Sequence, residues 1–280
     1  MQKQTEGPQA AARVVVIGGG VMGSALVRAI RVAGVAEIVV VEPDPARAKV
    51  LASGPRVEVT PQLDGALAGA QVVLLAVKPQ VVPDVLAQLG DLDDQTLVVS
   101  VAAGVPLAVY EKALPGTAVV RVMPNTPALV GKGVAAFAPG AAATDDDIAQ
   151  VDKLLGPTGL VVRVDEADLD AVTAISGSGP AYGFYLIDAM AEAGVLLGLT
   201  RDLATRLAAA TVEGAAALVV STGEHPVVLR ERVSSPGGTT VAAVAELDAH
   251  GVRAGVVAAA QAAARRSAQL GAMQLGAAQR

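Results

Sequence analysis

Cysteine and tryptophan are absent from the 280 residues of this chain, and histidine occurs twice. Without cysteine there is no disulfide scaffold, no thiolate nucleophile and no Cys-ligated zinc. His225 and His250 lack a partner at metal-ligand spacing, so no His-rich metal centre is expected. Aromatic residues are scarce, at 2 %. Basic charge is also in deficit: 21 Lys and Arg against 27 Asp and Glu leave a net charge of −6. That balance argues against broad nucleic-acid binding, so no nucleic-acid partner is expected. Chemistry must then come from backbone, hydroxyls, carboxylates and a borrowed cofactor.

Long apolar runs are missing as well, although 52 % of residues are hydrophobic and the mean hydropathy is +0.52. The uncharged stretch 95–110 holds Gln, Thr, Ser, Gly and Pro, and 171–187 is broken by Ser176-Gly177-Ser178-Gly179-Pro180. Neither is the unbroken span of about 20 apolar residues that a bilayer needs, so no membrane partner is expected. Residues 1–12 are polar, lack the apolar segment of a leader and read as a disordered extension. A cytoplasmic protein of two domains is expected.

The two halves are patterned differently. From 13 to about 165, short Val-rich runs at 13–17, 38–41, 72–76, 96–99 and 119–123 alternate with helical stretches such as 22–33 and 44–52. Continuous apolar runs suit parallel strands buried on both faces, and the alternation reads as a doubly wound α/β domain. Thr144 caps an expected helix over 144–155, with Asp145, Asp146 and Asp147 at its positive end. From 166 to 280 the pattern is helical: 180–199, 201–221, 237–249 and 252–270. The stretch Phe184-Tyr185-Leu186-Ile187-Asp188-Ala189-Met190 is apolar almost all round, which suits a core or an oligomer interface.

The first strand runs into Gly18-Gly19-Gly20-Val21-Met22-Gly23, a G-x-G-x-x-G motif between strand and helix. Gly18 permits the tight turn, Gly20 lets backbone approach a pyrophosphate, and Gly23 lets helix pack on strand. The helix start offers free N–H groups to the phosphates. Glu42, nineteen residues after Gly23 (42 − 23 = 19), ends the second strand, where an acid hydrogen-bonds the ribose of NAD and repels a 2′-phosphate. Arg47 can still turn to such a phosphate, so the local chemistry leaves NADH and NADPH open. Ala76-Val77-Lys78-Pro79, Ala102-Ala103-Gly104 and Met123-Pro124-Asn125-Thr126-Pro127 fall at strand carboxyl ends, where open α/β sheets bind ligands. Lys78 and Asn125 are polar handles for the cofactor.

A second constellation is Val233-Ser234-Ser235-Pro236-Gly237-Gly238-Thr239-Thr240, a hydroxyl-rich helix start suited to a carboxylate or phosphate. Ser176-Gly177-Ser178-Gly179-Pro180 reads as a turn into a long helix, with Pro180 in its first turn; it is either a packing turn or part of the reacting pocket. His225 reads first as a cap, His250 as a helix-end residue, and Arg121 as either an ion-pair partner or a ligand group. Asp165, Glu166, Asp168 and Asp170 form an acidic turn.

These residues resemble the pyrroline-5-carboxylate reductase family over about 13–271. The most specific matches are Asp170-Ala171-Val172-Thr173-Ala174-Ile175-Ser176-Gly177-Ser178-Gly179-Pro180-Ala181-Tyr182 and the Val233–Thr240 segment. The Ala76–Pro79, Ala102–Val105 and Met123–Pro127 segments match in order. The resemblance implies reduction of 1-pyrroline-5-carboxylate to L-proline by NADPH or NADH, the last step of proline biosynthesis. It implies an N-terminal Rossmann-type parallel-sheet domain and an all-helical dimerisation domain. An intertwined homodimer is implied, with rings of dimers in some members, and an active site shared between subunits. It places the substrate carboxylate at Ser235, Gly238, Thr239 and Thr240, the Thr240 hydroxyl by the ring nitrogen, and Glu166 near the substrate. The cofactor falls to Gly18, Gly20, Val21, Met22, Gly23, Glu42, Ala76, Val77, Lys78, Pro79, Ala102, Ala103, Gly104 and Asn125. Glu42-Pro43-Asp44 departs from the Ser or Thr of many NADPH users, which favours good use of NADH, and Leu63-Asp64 stands where some members place a cofactor-touching Asn.

Two other readings compete. A β-hydroxyacid or 6-phosphogluconate-type dehydrogenase needs a lysine on its helical domain, and no lysine follows Lys153. A dinucleotide sensor would have no use for the second, hydroxyl-rich site.

Overall fold

The computed structural model describes residues 13–278; the extension expected at 1–12 lies outside them. The chain forms two compact units. One comprises the residues up to Gly177 together with those from Ala263 onward, the other Ser178–Ala262.

The first unit is built on one eight-stranded sheet. Its strands are β1 (Arg13–Ile17), β2 (Glu37–Val41), β3 (Val57–Thr60), β4 (Val72–Leu75), β5 (Leu97–Ser100), β6 (Ala118–Pro124), β7 (Gly133–Pro139) and β8 (Gly159–Arg163). They lie in the order β3-β2-β1-β4-β5-β6-β7-β8. The first six run parallel, β7 is antiparallel to β6, and β8 is parallel to β7. Alternate residues feed two cores. Val15, Ile17, Val39, Val73, Leu75 and Val98 bury on one face; Val14, Val16, Ile38, Val40, Leu74 and Val99 bury on the other. Burying each such side chain contributes about 1.5–3 kcal/mol, which is why the interior positions of β1, β2, β4 and β5 are apolar, with Arg13, Glu37 and Ser100 at strand ends.

The helices of this unit are α1 (Val21–Val32), α2 (Pro45–Leu51), α3 (Val82–Leu89), α4 (Leu107–Ala113), α5 (Asp145–Leu155) and α6 (Leu169–Val172). Helix α5 starts where the sequence indicates. Thr144 accepts from the Asp147 amide and Asp147 reaches back to the Thr144 amide, a complete capping box.

The second unit is helical: α7 (Gly179–Leu196), α8 (Arg201–Thr222), α9 (Pro226–Arg232), α10 (Thr239–Ala249) and the first part of α11 (Val252–Ala278). Helices α7 and α8 pack at small residues: a Cβ on Gly194 would lie 2.8 Å from Ala204 Cβ. Among the described residues α8 is long and apolar enough to cross a bilayer by length and composition. Arg206 and Glu213 interrupt it, so it contains no long uncharged run.

Three features differ from the sequence expectation. Helix α11 runs past 270 to Ala278, and its residues from Ala263 belong to the first unit. The first unit runs on past the expected boundary near 165 to Gly177, and Leu169 is fully buried in one of its sheet cores. Finally, Ser176-Gly177-Ser178-Gly179-Pro180 is not an open turn. Thr173–Gly177 is a turn of π-helix between α6 and α7. The Thr173 and Ser176 hydroxyls donate back to the carbonyls of Leu169 and Val172, at 2.7 and 3.0 Å.

Candidate active site

Strand order reverses between β1 and β4, the switch point of a doubly wound sheet, and the Gly-rich loop leaves β1 there. Its glycines answer different demands. Gly18 has φ +100°, and a Cβ on it would lie 2.8 Å from the Ala76 carbonyl oxygen. A Cβ on Gly23 would overlap the Gly18 carbonyl, so α1 rests directly on the loop. Gly20, the N-cap of α1, has φ −65° and nothing within 4 Å of its absent Cβ. Neither backbone strain nor packing explains glycine at 20; unobstructed space over a helix N-terminus does, since it admits a phosphate to bare backbone. Ser24 braces the loop by donating to the Gly19 carbonyl at 3.0 Å. The residues present therefore fit a dinucleotide.

Glu42 lies at the end of β2 and is 4 % exposed. Its carboxylate accepts from the Gly19 amide at 2.9 Å, the Asp44 amide at 2.8 Å and Arg47 Nη2 at 2.9 Å. Burial pushes its pKa up, but the bonds from Arg47, Asp44 and Gly19 outweigh this and hold it below the ordinary carboxylate value. Glu42 thus ties the Gly-rich loop to β2 and holds the half-exposed Arg47 guanidinium.

A cavity of about 430 Å³ opens beside this loop, lined by Gly18, Pro43, Pro61, Leu63, Val77 and Val81 among others. Its mostly apolar walls suit a flat aromatic base. Ala76 donates to the Ile17 carbonyl at 2.8 Å and Val101 to the Leu75 carbonyl at 3.0 Å. The Ala76–Pro79 and Ala102–Gly104 segments therefore leave adjacent strand ends. Lys78 is exposed and starts the 3-10 turn Pro79–Val81. Asn125 is buried and already engaged: Nδ2 donates to the Ser176 carbonyl at 2.9 Å, and Oδ1 accepts from the Val134 amide at 2.8 Å.

In the second unit, Ser235-Pro236-Gly237-Gly238 closes as a tight turn. The Gly238 amide donates to the Ser235 carbonyl at 2.9 Å, and Gly237 has φ +69°. Proline followed by a positive-φ glycine is the pattern of a type II turn. Gly238 then becomes the N-cap of α10 with no side-chain cap, so the first-turn amides of Thr239 and Thr240 lack a helical acceptor. A Cβ on Gly238 would lie within 2.4 Å of Ser235 Oγ, so that hydroxyl leans over the helix start. The start of α10 thus carries amides without helical acceptors and the Ser235 hydroxyl beside Gly238.

The remaining candidates resolve individually. Glu166 Oε1 accepts from Arg121 Nη1 at 2.8 Å and from the Leu107 amide at 2.7 Å. Arg121 is thereby an ion-pair partner. His225 caps α9, its Nδ1 accepting from the Val227 amide at 3.2 Å, and His250 ends α10. Asp170 accepts from Ser267 at 2.6 Å, a contact within the first unit between α6 and the last part of α11.

Known proteins place this architecture. Residues 166–270 match the family model for pyrroline-5-carboxylate reductase dimerisation, and residues 13–104 match that for NADP oxidoreductase, coenzyme F420-dependent. Pyrroline-5-carboxylate reductase of a Synechocystis species is 44 % identical over 259 residues, covering 91 % of this chain and 97 % of its own. The chain belongs to the pyrroline-5-carboxylate reductase family. The reductase structure from Coxiella burnetii superposes with a TM-score of 0.85 at 32 % identity, covering 94 % of this chain and 99 % of its own. That of Plasmodium falciparum pyrroline carboxylate reductase, with NADP bound, gives 0.83 at 27 % identity, covering 93 % and 98 %.

Pro61, Val81 and Val85 also line the cavity beside Gly18 but belong to no sequence motif. Their signal is weak, because each is an ordinary apolar residue that only the fold gathers. The Ser100–Tyr110 pair likewise carries no motif.

Proposed function

We propose that this protein reduces the cyclic imine of 1-pyrroline-5-carboxylate to L-proline with NADH or NADPH, closing proline biosynthesis in the cytoplasm. What carries the reading is kinship along nine-tenths of the chain: 44 % identity covering 91 % of it. The geometry supports it with a dinucleotide loop in one unit and an anion grip in the other. The cofactor set is the loop Gly18, Gly20, Val21, Met22 and Gly23, with Glu42, the Ala76–Pro79 and Ala102–Gly104 segments, and Asn125.

NAD(P)H, when bound, supplies the hydride that reduces the C=N bond. The chain's own residues bind and orient. The α10 amides at Thr239 and Thr240, with the Ser235 hydroxyl, hold the substrate carboxylate, and Gly238 keeps that approach clear of a side chain. Thr240 Oγ1 hydrogen-bonds the ring nitrogen. That nitrogen is basic and carries its own proton, so no strong protein acid is required. Both histidines are engaged at helix ends, consistent with this. Catalysis then rests on fixed orientation and on charge-assisted hydrogen bonds. Glu166, expected near the substrate, has Oε1 committed to Arg121 and to the Leu107 amide, and we read it as a support for the start of α4 rather than a substrate contact.

The test is oxidation of NADH and of NADPH by purified protein, dependent on added pyrroline-5-carboxylate, with L-proline as product. Cofactor binding without turnover would favour a dinucleotide sensor. We further propose a homodimer, with rings of dimers as a higher state, since the matched dimerisation region exposes Phe184, Tyr185, Leu196, Leu197 and Val220.

A further inference from the structure

The row of residues at the carboxyl end of the sheet changes character part-way across. Val41, Ile17, Leu75, Ser100 and Arg121 are register partners on successive strands β2, β1, β4, β5 and β6. The first three are apolar and buried in one core. At β5 and β6 the row turns polar. Ser100, fully buried, lies 2.6 Å from the hydroxyl of Tyr110, which is also fully buried. Arg121 meets Glu166 at 2.8 Å.

Both pairs reach the same piece of backbone. Ser100 Oγ accepts from the Ala102 amide at 3.3 Å, at the start of the β5–α4 loop. Glu166 Oε1 accepts from the Leu107 amide at 2.7 Å, where that loop enters α4. Pro106, the N-cap of α4, has no side-chain oxygen to do this. Between the anchors Gly104 turns at φ +74°, and Ala103 is exposed while Ala102, Gly104 and Val105 are buried. A buried hydroxyl pair and an ion pair add little stability over apolar residues of the same volume; what such networks add is one defined geometry.

We propose that Ser100, Tyr110, Arg121 and Glu166 form a polar clamp, buried at the hydroxyl pair and part-exposed at the ion pair, that holds the 101–106 loop rigid as the wall presented to the reactive half of the dinucleotide. They are positioning residues, acting through the loop and not by contact with substrate. The inference rests on the reading of Ala102–Gly104 as cofactor wall.

The test uses the full-length protein and a substrate-free readout. Cofactor Kd is measured by quenching or enhancement of reduced-nicotinamide fluorescence, beside Tm and steady-state kinetics. Tyr110→Phe and Ser100→Ala should each raise the Kd and KM for NADH or NADPH about two- to tenfold, the worth of one neutral hydrogen bond. KM for the cofactor should change more than kcat, and the double variant should be no worse than the more impaired single one. Glu166→Ala should behave likewise, and Glu166→Gln, which keeps an acceptor for the Leu107 amide, should restore part of the loss. A fall in Tm with unchanged cofactor Kd in all these variants would overturn the clamp, leaving a merely structural network. So would a Glu166→Gln defect confined to the KM for pyrroline-5-carboxylate. Ala103→Leu separates the two levels of the argument. If it leaves cofactor Kd unchanged, the loop is no cofactor wall and the underlying reading fails. If it weakens binding while Tyr110→Phe does not, the clamp alone fails.

Discussion

Two glycines three residues apart, Gly20 and Gly23, illustrate how much one Cβ decides. A methyl at 23 would overlap the Gly18 carbonyl, whereas one at 20 meets nothing of the protein. Gly23→Ala should therefore lower Tm and cofactor affinity together. Gly20→Ala, at an N-cap where alanine is disfavoured, should cost no more than about 1 kcal/mol of stability, lower Tm less than Gly23→Ala does, and weaken the cofactor by tenfold or more. Calorimetry and cofactor titration of both variants check this; equal losses of Tm would remove the ligand argument for Gly20. At the other site, Ser235→Ala should raise the KM for pyrroline-5-carboxylate by about ten- to hundredfold, since a hydrogen bond to a charged group contributes about 1.5–3 kcal/mol. Thr240→Val keeps the shape but loses the hydroxyl. It should lower kcat while leaving cofactor KM nearly unchanged, and normal turnover by a folded variant would remove Thr240 from the chemistry.

At the scale of elements, Glu42 fastens three pieces at once: the loop before α1 through Gly19, the end of β2, and the start of α2 through Asp44 and Arg47. Its folded pKa lies below the ordinary carboxylate value. The stability it adds is therefore complete above the unfolded carboxylate pKa and is lost as pH falls through the lowered folded value. The Tm gap between the parent and Glu42→Gln should narrow on acidification, and a gap that widens would contradict the assignment. Glu42→Ser should also shift preference toward NADPH, because it removes a negative charge and frees Arg47; an unmoved NADH/NADPH ratio of kcat/KM would show that Glu42 does not read the ribose. Elements with one dominant signal were legible in sequence. The Val-rich runs of β1, β2, β4, β5 and β6 read as buried parallel strands, and Thr144 with Asp147 marked the start of α5. Strands β3, β7 and β8 did not declare themselves. Val57–Thr60 is a short edge strand with an exposed Glu58, β7 is alanine-rich between Gly133 and Pro139, and β8 is largely exposed. The π-helical turn at 173–177 was hidden because Ser-Gly-Ser-Gly-Pro spells a turn by composition. Tertiary partners, Asn125 on the Ser176 carbonyl and Met123 Cε against Gly177, decide otherwise.

For the whole molecule, the hydropathy of +0.52 acquires a location. The sheet of the first unit uses its valines internally, while the second unit displays Phe184, Tyr185, Leu196, Leu197 and Val220 on its surface. A monomer rarely leaves so much apolar surface to water, and a second copy of the chain would cover it. Light scattering should give a mass of at least two chains at micromolar concentration, and Phe184→Asp should lower it; a strictly monomeric, fully active parent would contradict the dimer. Function was legible at this scale from segments far apart in sequence: the Gly-rich loop for a dinucleotide, and Asp170–Tyr182 with Val233–Thr240 for the family. The stretch 184–190 had already read as core or interface, whereas the buried Ser100–Tyr110 pair and its link to the 101–106 loop became visible only in three dimensions. The central claim is hydride delivery from reduced nicotinamide to a cyclic imine held by its carboxylate. The most direct measurement supplies cofactor deuterated at the transferring position of the nicotinamide ring together with pyrroline-5-carboxylate, and locates the label in the product. One deuterium on the ring carbon of L-proline that had been double-bonded to nitrogen is the predicted result. Proline without the label, or no proline at all from protein that binds the cofactor, would contradict it.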